Sequence, residues 1–104
     1  MIVPHTHVLV LAGILFMIGV LCTVTRKNLI MMLLGLEIML NAAALALIGT
    51  SLLLKQLDGQ VAALFVLAVA AAEVSLGLAL IVCIYRQTST VDPRCVEKNE
   101  CILE

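Results

Sequence analysis

Charge is what this sequence has least of. Only 12% of its residues are Asp, Glu, Lys or Arg, against about a quarter in soluble domains. So few charges cannot give a soluble globule a hydrated coat. Aromatics are equally scarce, at 3%, with one Tyr and no Trp, so aromatic belts cannot be used to orient the chain. Net charge is −1, which gives nucleic acid no electrostatic footing. There is no Gly-rich phosphate loop, no nucleophile–base arrangement, and no haem or iron–sulfur spacing. What remains is apolar: 63% hydrophobic residues and a mean hydropathy of +1.22. At 104 residues the chain is one small domain with little room for a ligand pocket of its own, which points towards a larger assembly.

The apolar residues fall into three runs, predicting an all-α membrane protein with three transmembrane helices. The first run, residues 8–25, has no charge. Its 18 residues extend about 27 Å as a helix, close to a hydrocarbon core of about 30 Å. A cleaved signal peptide carries its positive charge before the apolar run; here Arg26-Lys27 follow it, which favours a retained span. The second run, 29–54, is broken only by Glu37 and Asn41, and the third, 61–85, by Glu73 and Ser75. Arg26-Lys27-Asn28 is the first turn; Lys55 to Gln60 is the second, with Asp58-Gly59 as its bend. Residues 87–104 change to Gln, Thr, Ser, Asp, Pro, Lys and Glu, predicting a polar, loosely ordered cytoplasmic tail.

Basic residues set the orientation. Arg26, Lys27, Arg86, Arg94 and Lys98 share one side of a three-span topology, and only Lys55 lies on the other. The positive-inside rule then places the N-terminus outside and the C-terminus in the cytoplasm.

Two carboxyls interrupt this apolar pattern. A charge at the bilayer centre costs roughly 2.5–3.5 kcal/mol on insertion scales. Glu37 lies about 12 Å into the second span, and Glu73 about 18 Å into the third from the same side. The two helices are antiparallel, so the carboxyls come within about two turns of one depth. No basic residue inside the spans can pair with them. Intramembrane carboxyls mark ion pathways, so Glu37 and Glu73 are the candidate proton relay; the bland alternative is a hydrogen bond between helices. Asn41, four residues on from Glu37 and on its face, is a possible support or simple helix–helix glue. Ala70, Glu73 and Gly77 share one face of the third helix, where small residues let backbones approach. Cys22 and Cys83 are read as small hydrophobes, and Cys95 and Cys101 as reduced thiols in the tail with no trusted zinc spacing. His5 and His7 are read as part of a loose terminus, and the five Met residues as packing groups.

Two motifs carry a family resemblance. Gly35-Leu36-Glu37-Ile38-Met39-Leu40-Asn41-Ala42 and Ala70-Ala71-Ala72-Glu73-Val74-Ser75-Leu76-Gly77-Leu78-Ala79-Leu80 together resemble the K-subunit family of proton-pumping NADH:quinone oxidoreductase, respiratory complex I. Asp58-Gly59-Gln60 and the turn after the first helix are also similar. The resemblance covers roughly residues 8 to 86 and leaves the tail with Cys95 and Cys101 unlike the family. It implies a multi-pass subunit of the bacterial inner-membrane arm, packed among small hydrophobic subunits and beside an antiporter-like one. It places the family's two intramembrane glutamates at Glu37 and Glu73, in the polar chain that links quinone reduction to proton transfer. It implies no catalytic, metal or cofactor-binding residue in this chain, with NADH, flavin, iron–sulfur clusters and quinone held elsewhere in the complex.

The alternatives are a C-type subunit of a multisubunit cation/proton antiporter, expected to lack Gly35-Leu36-Glu37-Ile38-Met39, and a purely structural assembly subunit indifferent to either carboxyl. A small multidrug transporter would have four spans, a Glu in the first and more aromatics.

Overall fold

The computed structural model describes residues 4–94. Three helices account for nearly all of them: α1 (His5–Thr25), α2 (Leu29–Leu54) and α3 (Asp58–Thr88). No strand occurs among the described residues. With 21, 26 and 31 residues, all three are long and apolar enough to cross a membrane. The chain is thus the expected all-α, three-span protein. Leu and Ala are the commonest residues of the spans and are strong helix formers. In lipid the helix also satisfies each backbone N–H and C=O within its own segment.

Local chemistry sets the helix ends. Pro4, which has no N–H to waste, precedes α1. Asn28 caps α2: its side-chain oxygen accepts the Ile30 N–H at 2.9 Å. Lys55 closes α2 in the left-handed region, φ 54°, and its N–H reaches the Leu52 carbonyl at 3.4 Å. Asp58 opens α3, where a carboxylate favours the positive end of the helix dipole. Ser89 closes α3, again left-handed at φ 56°, its N–H bonded to the Tyr85 carbonyl at 2.7 Å.

Four details depart from the sequence reading. First, α1 starts at His5 rather than Val8, and the half-buried His5 ring lies 3.3 Å from the Gly49 carbonyl through Nδ1. Second, the bend between α2 and α3 is made by Lys55, not by Asp58-Gly59, which already belong to α3. Gly59 is there for close approach: a Cβ on it would lie 2.6 Å from the Ser51 Cβ and 2.7 Å from the Leu47 carbonyl oxygen. Third, α3 runs on to Thr88. Fourth, residues 89–94 fold back on the start of α2 through a 2.8 Å bond from the Leu29 N–H to the Val91 carbonyl. Cys95 and Cys101 lie outside the described residues.

The central element is α2, which makes the principal contacts with both α1 and α3. Helices in lipid gain little from burying apolar side chains against each other, so close backbone packing has to hold them. Gly19 and Gly35 face each other at the α1–α2 crossing. A Cβ on Gly19 would lie 2.8 Å from the Gly35 carbonyl oxygen, and one on Gly35 would lie 2.9 Å from the Gly19 carbonyl oxygen. Ala42 and Ala44 on α2, with Ala63 and Ala70 on α3, are buried. The large side chains point outward: Val24, Leu64, Phe65 and Leu76 are all two-thirds or more exposed. Small residues inside and large ones outside is the reverse of a soluble core, as expected where lipid or neighbouring subunits cover the outer face.

An intramembrane carboxyl pair as the candidate functional site

The depth of the two glutamates follows from the α2–α3 register. Leu33 of α2 packs into the space left by Gly77 of α3, where an added Cβ would meet the Leu33 methyls at 3.0 and 3.2 Å. Four residues on from Leu33 is Glu37; four residues back from Gly77 is Glu73. In an antiparallel pair both steps go the same way along the axis, about 6 Å each. The two carboxyl-bearing residues are therefore level, which sharpens the two-turn proximity expected from helix ends.

Their surroundings differ. Glu37 is half-buried, and its Oε1 is fully buried with no hydrogen-bond partner among the described residues. Leu33 and Ala44, at −4 and +7 from it, lie on the α3-facing side of the same helix. Glu73 is exposed, although Ala70 is buried and Gly77 half-buried on its own face. It sits at the rim of the α2–α3 seam rather than in it. No hydrogen bond or ion pair joins the two carboxyls to each other or to any described residue. Asn41 is exposed and makes no hydrogen bond to Glu37, so the fold places it on the carboxyl's face without engaging it.

Several other polar groups of the spans are provided for locally. Thr23 donates to the Gly19 carbonyl at 2.8 Å, Ser75 to the Ala71 carbonyl at 3.0 Å and Thr88 to the Ile84 carbonyl at 2.8 Å. The Ser51 hydroxyl donates to the Gln56 carbonyl. Cys22 Sγ lies 3.4 Å from the Met31 carbonyl and helps join α1 to α2, whereas Cys83 is exposed. Against these satisfied groups the free Glu37 oxygen stands out. A buried polar atom without a partner costs roughly 1–3 kcal/mol, and no described residue relieves it. A water or a group beyond the described residues has to provide the partner.

Three apolar spans packed through the middle one, with two level carboxyls, define a multi-pass membrane protein. The chain belongs to the family described as NADH-ubiquinone/plastoquinone oxidoreductase chain 4L, whose pattern matches residues 7–101. It is 58% identical over 93 residues to NADH-quinone oxidoreductase subunit K 2 of Syntrophobacter fumaroxidans, covering 89% of this chain and 82% of that protein. Subunit K 1 of Geotalea uraniireducens is 56% identical over 88% of this chain and 91% of its own length. Subunit K of Nitrosospira multiformis is 48% identical over 92% of this chain and 94% of its own length.

Gly19, Gly35 and Gly59 are the positioning residues that sequence reasoning passed over, whereas Gly77 was already placed on a close-packing face. Gly35 lies inside the quoted Glu37 motif, so a signal was present, but only the α1 contact explains it.

Proposed function

We propose that this chain is a membrane-arm subunit of proton-pumping NADH:quinone oxidoreductase, respiratory complex I, in which Glu37 and Glu73 pass protons. Family membership and the subunit K relatives support the first part. The second rests chiefly on the buried, unpartnered Oε1 of Glu37 at the level of Glu73. The chain is a multi-pass protein of the bacterial inner membrane, and its partners are other subunits of the same complex. Small hydrophobic subunits cover the outward Leu and Ala faces, and an antiporter-like subunit lies beside the exposed Glu73. NADH, flavin, iron–sulfur clusters and quinone belong to other subunits, and this chain serves the enzyme as a conduit.

Glu→Gln separates a relay from a structural hydrogen bond. Gln keeps the size and a donor but cannot release a proton. In membrane vesicles, Glu37→Gln is expected to leave assembly near normal and to lower pumping about 100-fold or more, a loss in the general acid–base range. Electron transfer to artificial acceptors stays intact. The double variant with Glu73→Gln is expected to be little worse than the worse single one, because groups in series are non-additive. Full pumping in the double variant ends the relay reading.

The end carrying Arg26, Lys27, Arg86 and Arg94 faces the cytoplasm, with the N-terminus outside. Cys95 and Cys101 are the native reporters: an impermeant thiol reagent is expected to label them in inverted vesicles but not in intact cells. The opposite pattern reverses the topology.

A further inference from the structure

At one end of the molecule α2 and α3 are joined covalently through Lys55, Gln56 and Leu57. At the other end the chain supplies its own fastening. The buried Thr88 hydroxyl donates to the Ile84 carbonyl and lies 3.1 Å from the Thr90 carbonyl oxygen, while the Thr90 N–H reaches it at 3.4 Å. The Thr90 hydroxyl accepts the Asp92 N–H at 3.2 Å, and the Asp92 carboxylate accepts the Arg94 N–H at 2.9 Å. Folded in this way, the segment presents the Val91 carbonyl to the Leu29 N–H. Leu29 is the first residue of α2, and its amide is one of the donors that every helix leaves unpartnered. Asn28 takes the Ile30 amide, so two of these donors have partners. The Asp92 carboxyl is held below its ordinary range, first by the Arg94 side chain and then by the Arg94 N–H, with a weaker pull from Lys27 in the α1–α2 turn.

We propose that residues 88–94 are a strap that fastens the C-terminus of α3 to the N-terminus of α2 and holds Glu37 and Glu73 at one height. The idea rests on the relay reading of the two carboxyls. The α2–α3 seam interlocks at two places, Gly59 against the Leu47 carbonyl and Ser51 beside the covalent turn, and Gly77 against the Leu33 methyls near the carboxyls. In the half beside the strap only the flexible Leu33 methyls oppose sliding, and slippage by one residue displaces a carboxyl by about 1.5 Å. Glu37 is about 12 Å from the strapped end of α2 but about 26 Å from the covalent turn, so the strap is the nearer of the two constraints. Strap residues act through the helices and are positioning residues, not catalytic ones.

Two substitutions release the strap from opposite ends, both in the assembled complex. Leu29→Pro removes only the N–H donor, at the helix position where Pro is tolerated best, and the extended Asn28 (φ −133°, ψ 121°) suits a residue before proline. Leu29→Ala keeps the N–H and is its control. Thr88→Val removes the hydroxyl that folds the segment and leaves α2 untouched. Amide exchange over residues 89–94 is expected to speed about five-fold in Leu29→Pro and in Thr88→Val, as for loss of one hydrogen bond. Protons pumped per electron are expected to fall about two- to three-fold, a loss of positioning short of the relay's general acid–base loss, with artificial-acceptor activity unchanged. Unchanged exchange in Thr88→Val refutes the docking. Faster exchange with full pumping refutes the positioning role while Glu37→Gln still abolishes pumping, so this failure is distinct from that of the relay. If Leu29→Pro fails to assemble, Thr88→Val decides alone; if that too fails, the strap is an assembly element and the positioning proposal falls.

Discussion

The two seams of α2 do different work. Towards α1 it presents Gly35, and the backbones meet so closely that carbonyl oxygens fill the space where a Cβ would go. No carboxyl lies there. Towards α3 it meets backbone only beside the covalent turn, where Gly59 approaches the Leu47 carbonyl; near the carboxyls the opposing Gly77 is filled by the Leu33 methyls instead. This more yielding stretch has Glu37 alongside it, one oxygen buried, and Glu73 at its rim. In a membrane, rigidity comes from backbone approach, and hydrogen bonds between helices add only about 0.6 kcal/mol each on average. The α1–α2 seam is thus the scaffold, and the α2–α3 seam beside the carboxyls is the part held by side chains alone.

That contrast is easiest to break at the crossing. Gly35→Leu forces a side chain into the Gly19 carbonyl and the Thr23 backbone, neither of which can swing aside. Overpacking costs typically 1–3 kcal/mol and occasionally more, and backbone opposition puts this case at the upper end. Little assembled complex is expected, by blue-native gel or immunoblot of membranes; normal assembly would mean that the crossing is not the scaffold.

At the other seam, Gly77→Leu meets only the flexible end of Leu33. The expected cost is nearer 1 kcal/mol. The complex should assemble but pump less, and Leu33→Ala in the same chain should restore pumping by reopening the space. Absence of rescue would disconnect this contact from the carboxyl register.

Gly13 sharpens the comparison at the small end. It lies on α1 like Gly19, yet a Cβ there meets nothing within 4 Å. Gly13→Ala should therefore leave assembly and pumping unchanged, or raise helix stability by up to about 1 kcal/mol, as read by thermal inactivation.

Much of this was legible from residue order. An 18-residue uncharged run has few options other than a span, and two lone glutamates in such runs announce themselves by their desolvation cost. Glu37, Glu73 and Asn41 were all singled out from the sequence, and none of the three makes a side-chain hydrogen bond among the described residues. Harder to read were the turns and the glycines. Asp58-Gly59 has the composition of a bend, but Lys55 takes the left-handed position and Gly59 serves contact with Leu47 and Ser51. A glycine needed for its φ and one needed for its missing Cβ look alike in a sequence.

The polar composition after Arg86 likewise suggested a loose tail, because composition measures affinity for water but not a hydrogen bond to a distant helix. Sequence alone determined the class, the three spans and the carboxyls, since hydropathy and charge act locally on each segment. Tertiary structure alone decided that the carboxyls are level, that one carries a buried free oxygen while the other is exposed, and that the chain after α3 returns to cap α2. Those features depend on the register of helices in lipid. Close contacts between residues far apart in sequence set that register, and no local property of the chain encodes it.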